Sequence, residues 1–74
     1  MEQQHTYKVV EIVGSSSDGV DAAIRNALDR ARQTLRNVEW FEVRETRGAI
    51  VESVVYTQVR MGIGFRIEND SDIP

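Results

Sequence analysis

Val54-Val-Tyr-Thr-Gln-Val-Arg-Met-Gly-Ile-Gly-Phe-Arg-Ile67 is the stretch that decides the fold. Val55, Thr57, Val59, Met61, Ile63, Phe65 and Ile67 share one parity, apolar except for the threonine. Tyr56, Gln58, Arg60, Gly62, Gly64 and Arg66 share the other. Side chains of a strand point alternately to its two faces, so this unbroken alternation predicts a long strand with one buried face. Its 14 residues reach about 45 Å at ~3.3 Å per residue.

Upstream, Glu39 to Arg47 reads as a second strand ended by Gly48, with a turn or irregular hairpin over Ala49 to Ser53. Phe41 and Val43 fall on one face; Trp40, Glu42 and Arg44 fall on the other. A helix is predicted from about Asp18 to Asn37. Val20, Ala23, Ile24, Ala27, Leu28, Ala31, Leu35 and Val38 recur there in steps of three and four. The alanines in that stripe let a sheet approach the helix closely. Asp18 or one of Ser15, Ser16 and Ser17 is the expected N-cap. Tyr7 to Val13, rich in β-branched residues and closed by Gly14, reads as the first strand. The order is β-α-β-β, an α+β domain: a three-stranded antiparallel sheet wrapped around one helix.

The chain has 74 residues and a formal net charge of −3. That length allows a single domain, and one this small buries only ~60% of the surface its unfolded chain exposes. With no cysteine and a single histidine, His5, neither disulfides nor a zinc site can reinforce it, which leaves oligomerisation. The acidic balance gives no reason to expect nucleic acid. No apolar run approaches the ~20 residues of a membrane span, and a cytoplasmic location is the default expectation. The long strand outreaches a helix of about 30 Å. The sheet must therefore curl around the helix, or its overhang must meet another subunit. Aromatics on the second sheet face and open strand edges add to the case for a closed, symmetric assembly.

Each candidate binding residue has two readings. Trp40 is an interface or core anchor, or an aromatic plate for a flat ligand. Gln58 is a solvated strand residue, or a combined donor and acceptor for the edge of a heterocycle. Arg47 and Arg66 are solvated or ion-paired, or they clamp a phosphate. Gly62 and Gly64 mark a close approach by a ligand or, as the favoured reading, by a neighbouring subunit. Strict alternation places Arg47 and Trp40 on opposite faces unless a bulge intervenes. His5 reads as a solvated terminal residue. Glu39, Glu42 and Glu45 read as a solvated strand, and the sequence offers no nucleophile–base set for catalysis.

Taken together, Tyr7-Lys-Val-Val-Glu-Ile-Val-Gly14, Ser17-Asp-Gly-Val-Asp-Ala-Ala-Ile24, Trp40-Phe-Glu-Val43, Arg47-Gly48, Gln58-Val59 and Gly64-Phe-Arg66 resemble the dodecins. The resemblance covers about residues 6–68, with flexible termini expected beyond. It implies a hollow homododecamer that binds flavins without catalysis, typically FMN in bacterial members, with riboflavin, FAD and lumichrome as further candidates. It implies flavin storage, buffering and photoprotection. It also implies that Trp40 stacks on the isoalloxazine ring, Gln58 bonds the ring edge, and Arg47 and Arg66 lie near the phosphate. Coenzyme A is a further ligand expected from the resemblance. The rival readings are an oligomeric structural module without flavin and a flavin-dependent redox enzyme.

Overall fold

The computed structural model describes residues 4–68; the expected fraying beyond Glu68 and at the first residues concerns positions outside that range. β1 (Thr6–Ser16) is followed by α1 (Val20–Thr34), β2 (Val38–Val51) and β3 (Val54–Ile67). The three strands form one antiparallel sheet in the order β1-β3-β2. The long alternating stretch is thus the central strand. Its inward residues Val59, Met61, Ile63 and Phe65 are fully buried. Each such burial stabilises the fold by roughly 1.5–3 kcal/mol.

α1 lies across β1 and β3. Ala23, Ala27 and Ala31 are its buried residues, as their place in the apolar stripe predicts. Gly14 is the point of closest approach. A Cβ there would stand 2.1 Å from the Ala23 carbonyl oxygen and 2.8 Å from the Ala27 Cβ. Gly14 therefore does not end β1. It sits within the strand opposite Val59, and pairing runs on to Ser16.

The helix is shorter than its hydrophobic stripe. It starts after Gly19, which takes φ 111° and ψ −174° and makes no side-chain cap. Such a backbone is open to glycine and strained for other residues. Ser16 does not cap the helix; its Oγ accepts from the Asp18 N–H at 2.9 Å, forming a turn ahead of it. At the far end Leu35 is already extended. Asn37, at φ 61°, accepts from the Arg66 N–H (3.0 Å) and donates its side-chain amide to the Arg66 carbonyl (3.3 Å). Those two bonds tie the chain to the end of β3, so periodicity through Val38 continues without helix.

β2 is longer than expected. It passes through Gly48, opposite Thr57, and reaches Val51. Glu52 (φ 50°) and Ser53 (φ 69°) then make a two-residue hairpin turn with positive φ at both positions, the geometry that matches strand twist. The sheet leaves α1 behind: the molecule measures 53 × 21 × 14 Å, whereas a helix of 15 residues spans about 22 Å. Ile50 and Val55 at the hairpin are 77% and 64% exposed. Phe41 and Val43, on the helix-side face of β2, are also exposed. Large apolar side chains left exposed at two places on one face mark candidate interaction surfaces.

Candidate functional site

The candidate residues lie on the sheet face turned away from α1. Cross-strand partners in an antiparallel pair share a face, so the register assigns them directly. Trp40 stands opposite Gly64, Glu42 opposite Gly62, Glu45 opposite Arg60 and Arg47 opposite Gln58. The register shifts between Val43 and Glu45, a β-bulge at Arg44. One extra residue reverses the parity that follows it. The bulge therefore brings Arg47 to the face of Trp40, which answers the alternation problem raised by the sequence. A second shift between Val38 and Trp40 sets Glu39 in a bulge beside the tryptophan.

The indole of Trp40 covers Gly64. A Cβ on Gly64 would lie 2.1 Å from Trp40 Cε2 and 2.4 Å from Cζ2. One side of the ring system is thus seated on backbone, while the residue stays 41% exposed. Gly62 is covered in the same way by the Arg44 guanidinium and the Val9 side chain. The sequence reading that favoured a neighbouring subunit at these two glycines is corrected: within the chain, its own side chains make both approaches.

Three polar groups follow along this face. At the hairpin end, Arg47 Nε donates to Gln58 Oε1 at 2.8 Å. That bond takes one of the two acceptor positions of the Gln58 oxygen and orients the side chain, whose NH₂ group adds a pair of donors. Arg47 makes no ion pair among the described residues. In the middle, Glu11 accepts from Arg44 (2.9 Å) and Arg60 (3.2 Å), Arg60 approaches Glu45 (3.4 Å) and Arg44 approaches Glu42 (3.5 Å). The Glu11 hydrogen bond is the main cause that raises the Arg44 pKa above its ordinary value. These side chains are solvent-exposed, and each such pair contributes roughly 0–1 kcal/mol. At the tryptophan end, Arg66 holds Glu39 (3.1 Å) and Glu68 (3.0 Å). Tyr7, opposite Arg66, has its phenol pKa raised by desolvation first and by a hydrogen bond to Glu39 second.

The structure thus pairs Arg47 with Gln58, and it sets Arg66 two residues along β3 from the glycine under Trp40. It separates these two groups. Gly64 and Gln58 are six residues apart on one strand, about 20 Å. Trp40 and Gln58 of one chain thus stand toward opposite ends of this face. The involvement of Glu39 was missed by the sequence reading; its position next to Trp40 was the available signal, obscured because a plain strand would turn it to the opposite face. A cleft of about 240 Å³ lined by Leu28, Arg32, Val38, Glu39, Trp40 and Phe41 borders the tryptophan on the helix side. A larger cavity of about 620 Å³ between β1 and α1 contains none of the four candidates and no aromatic side chain. Among the described residues no cluster of metal-ligating side chains occurs, and no helix is long and apolar enough to cross a membrane.

Comparison with known proteins shows the family. The family model Dodecin matches residues 6–68. The chain belongs to the dodecin family. The dodecin of Thermus thermophilus is 56% identical over 63 residues, which are 84% of this chain and 91% of that protein. The solved dodecin of Streptomyces coelicolor superimposes with a TM-score of 0.84 at 51% identity, covering 93% of this chain and all of the other. That of Streptomyces davaonensis gives 0.83 at 50% identity, covering 90% and 100%. Membership in the dodecins supports the coarser expectation of a small flavin-binding protein that assembles into an oligomer.

Proposed function

We propose that this dodecin binds FMN between subunits of a homododecamer, storing the flavin and shielding it from light without catalytic turnover. The observation that carries the reading is Trp40 seated on Gly64. An aromatic plane fixed from below and open above has its geometry set before a ligand arrives, which reduces the ordering cost of stacking. Offset stacking adds roughly 0.5–1.5 kcal/mol beyond the area buried. Riboflavin and FAD carry the same isoalloxazine ring and lumichrome the related flat alloxazine, so the same plate accepts them.

In this reading one flavin draws on two chains, a division that the separation of Trp40 from Gln58 along the sheet supports. Gln58 of the neighbouring chain, its oxygen already held by Arg47, offers N–H donors to the carbonyl edge of the ring. Of the two arginines, Arg47 has no carboxylate against it among the described residues, so it takes the phosphate by preference; at Arg66 two carboxylates compete with a phosphate. Phosphate groups of coenzyme A would be received by the same arginine chemistry. The exposed apolar hairpin and the uncovered face of β2 are the surfaces that assembly would bury.

The test is calorimetric titration of FMN into the parent and Trp40→Ala proteins, with assembly followed by sedimentation. The reading predicts that Trp40→Ala remains assembled and loses most of its affinity. Equal affinity in the two proteins would refute the stacking role. A parent that assembles but binds no flavin would make this chain a purely structural module, and reduction of its bound flavin by NADH or NADPH under turnover would make it a redox enzyme.

A further inference from the structure

We propose that Arg44 is a positioning residue: laid across Gly62 and held by Glu11, it pins the bulge that brings Arg47 to the ligand face. The inference rests on the reading that Arg47 receives the phosphate. Glu11 of β1 and Glu42 of β2 both stand opposite Gly62 of β3. The Arg44 side chain runs over that glycine, donating to Glu11 at 2.9 Å and approaching Glu42 at 3.5 Å. A Cβ at position 62 would lie 2.8 Å from Arg44 Nη2 and 3.1 Å from its Cζ. Glycine in the central strand is what leaves this path open. The bulged residue of β2 is thus strapped to β1 across β3.

Burial does not set the place of this bulge. Every residue of β2 from Glu39 to Gly48 is exposed, so apolar contact within the chain gives little preference for one parity over the other. A bulge needs one unpaired residue, and the ladder alone would accept it at a later position. Beyond Arg47, such a bulge would turn that guanidinium to the helix side, because each residue in between changes parity. The charges resist that move. Arg60 joins Glu11 at 3.2 Å and approaches Glu45, the residue after the bulge, at 3.4 Å. In the shifted register Arg44 would stand directly opposite Arg60, and Glu45 would turn away from it. Two like charges would meet across the strands and one ion pair would be lost.

Exposed ion pairs are individually weak, so the expected effects are a few-fold. The experiment titrates FMN and riboflavin into the full-length parent, Glu11→Gln, Gly62→Ala and Arg47→Gln proteins in their native assembly. Amide hydrogen exchange at residues 43–47 is followed in parallel. Gly62→Ala alters no charge and blocks the path of Arg44. Glu11→Gln removes a negative charge, which by itself would tighten an anion. Both variants are expected to weaken FMN relative to riboflavin about two- to fivefold and to speed exchange at the bulge by a similar factor. A merely structural role would change both flavins alike. An unchanged FMN-to-riboflavin ratio in both variants, or a tightened FMN in Glu11→Gln, overturns the proposal. If Arg47→Gln costs both flavins equally, the phosphate reading falls, and the exchange data alone judge the strap. Unchanged exchange in Glu11→Gln would then show that Arg44 does not pin the bulge.

Discussion

The two ends of one sheet face carry the same residue type in opposite electrostatic settings. At the hairpin, Arg47 donates to the amide of Gln58 and keeps its charge uncompensated. At the tryptophan, Arg66 is held by two carboxylates. An arginine beside an aromatic plate is thus no evidence of a phosphate site on its own; what it pairs with decides. The two ends also differ in rigidity. Trp40 rests on backbone at Gly64, whereas Arg47 and Gln58 fix each other through a single hydrogen bond.

This contrast can be broken in graded steps. Trp40→Ala should have the largest effect, weakening every flavin by about 2–4 kcal/mol, or some 30- to 1000-fold, through lost stacking and apolar contact; calorimetry reads it directly. Gly64→Ala comes next. Its methyl group needs the space of the indole, so Trp40 must leave its seat, and flavin affinity should fall about tenfold with a stability loss of roughly 1–3 kcal/mol. Thermal unfolding with parallel binding curves separates the two effects. Arg47→Gln should cost FMN about five- to tenfold and spare riboflavin. A loss shared by both flavins would assign Arg47 to holding Gln58 rather than to the phosphate.

The smallest effect concerns pH. The Tyr7 pKa is raised, by desolvation first and then by Glu39. A raised folded-state value means that the neutral phenol is favoured by folding. That contribution is fully present below the ordinary value of about 10 and is lost as pH rises through the folded value. Alkaline titration of phenolate absorbance should show a tyrosine step displaced above the ordinary range, absent from Tyr7→Phe. A step for Tyr7 at or below the ordinary value would contradict the closeness of Glu39.

Much of the fold was legible because burial imposes a period on the sequence. The bounds of β3 coincide with its alternating run, since its inward side chains are covered along most of its length. The alanine stripe of α1 foretold the close approach of the sheet. The ends of elements were less legible, because tertiary bonds decide them. The helix ends at Thr34, and Asn37, bonded at both its carbonyl and its side chain to Arg66, holds the extended chain to the end of β3 while the apolar stripe continues. The hairpin turn uses Glu52 and Ser53, which lack the glycine or asparagine that usually signals positive φ.

The four candidate residues were each visible by type, but their grouping was not. A bulge leaves little mark on composition, and the one at Arg44 decides that Arg47 faces the same way as Trp40. The pairing of Arg66 with Glu39 was hidden for the same reason, since a second bulge sets Glu39 beside the indole. The glycines were read as places of close approach, and they are; the approaching groups belong to the chain itself.

The most direct test of the account is a fluorescence titration of FMN with the parent protein and with Trp40→Ala side by side. The account predicts strong quenching with an equimolar end-point for the parent and nearly unchanged emission for the variant. Equal quenching by both proteins, or no quenching by the parent, would contradict the claim that Trp40 is the plate on which the flavin stacks.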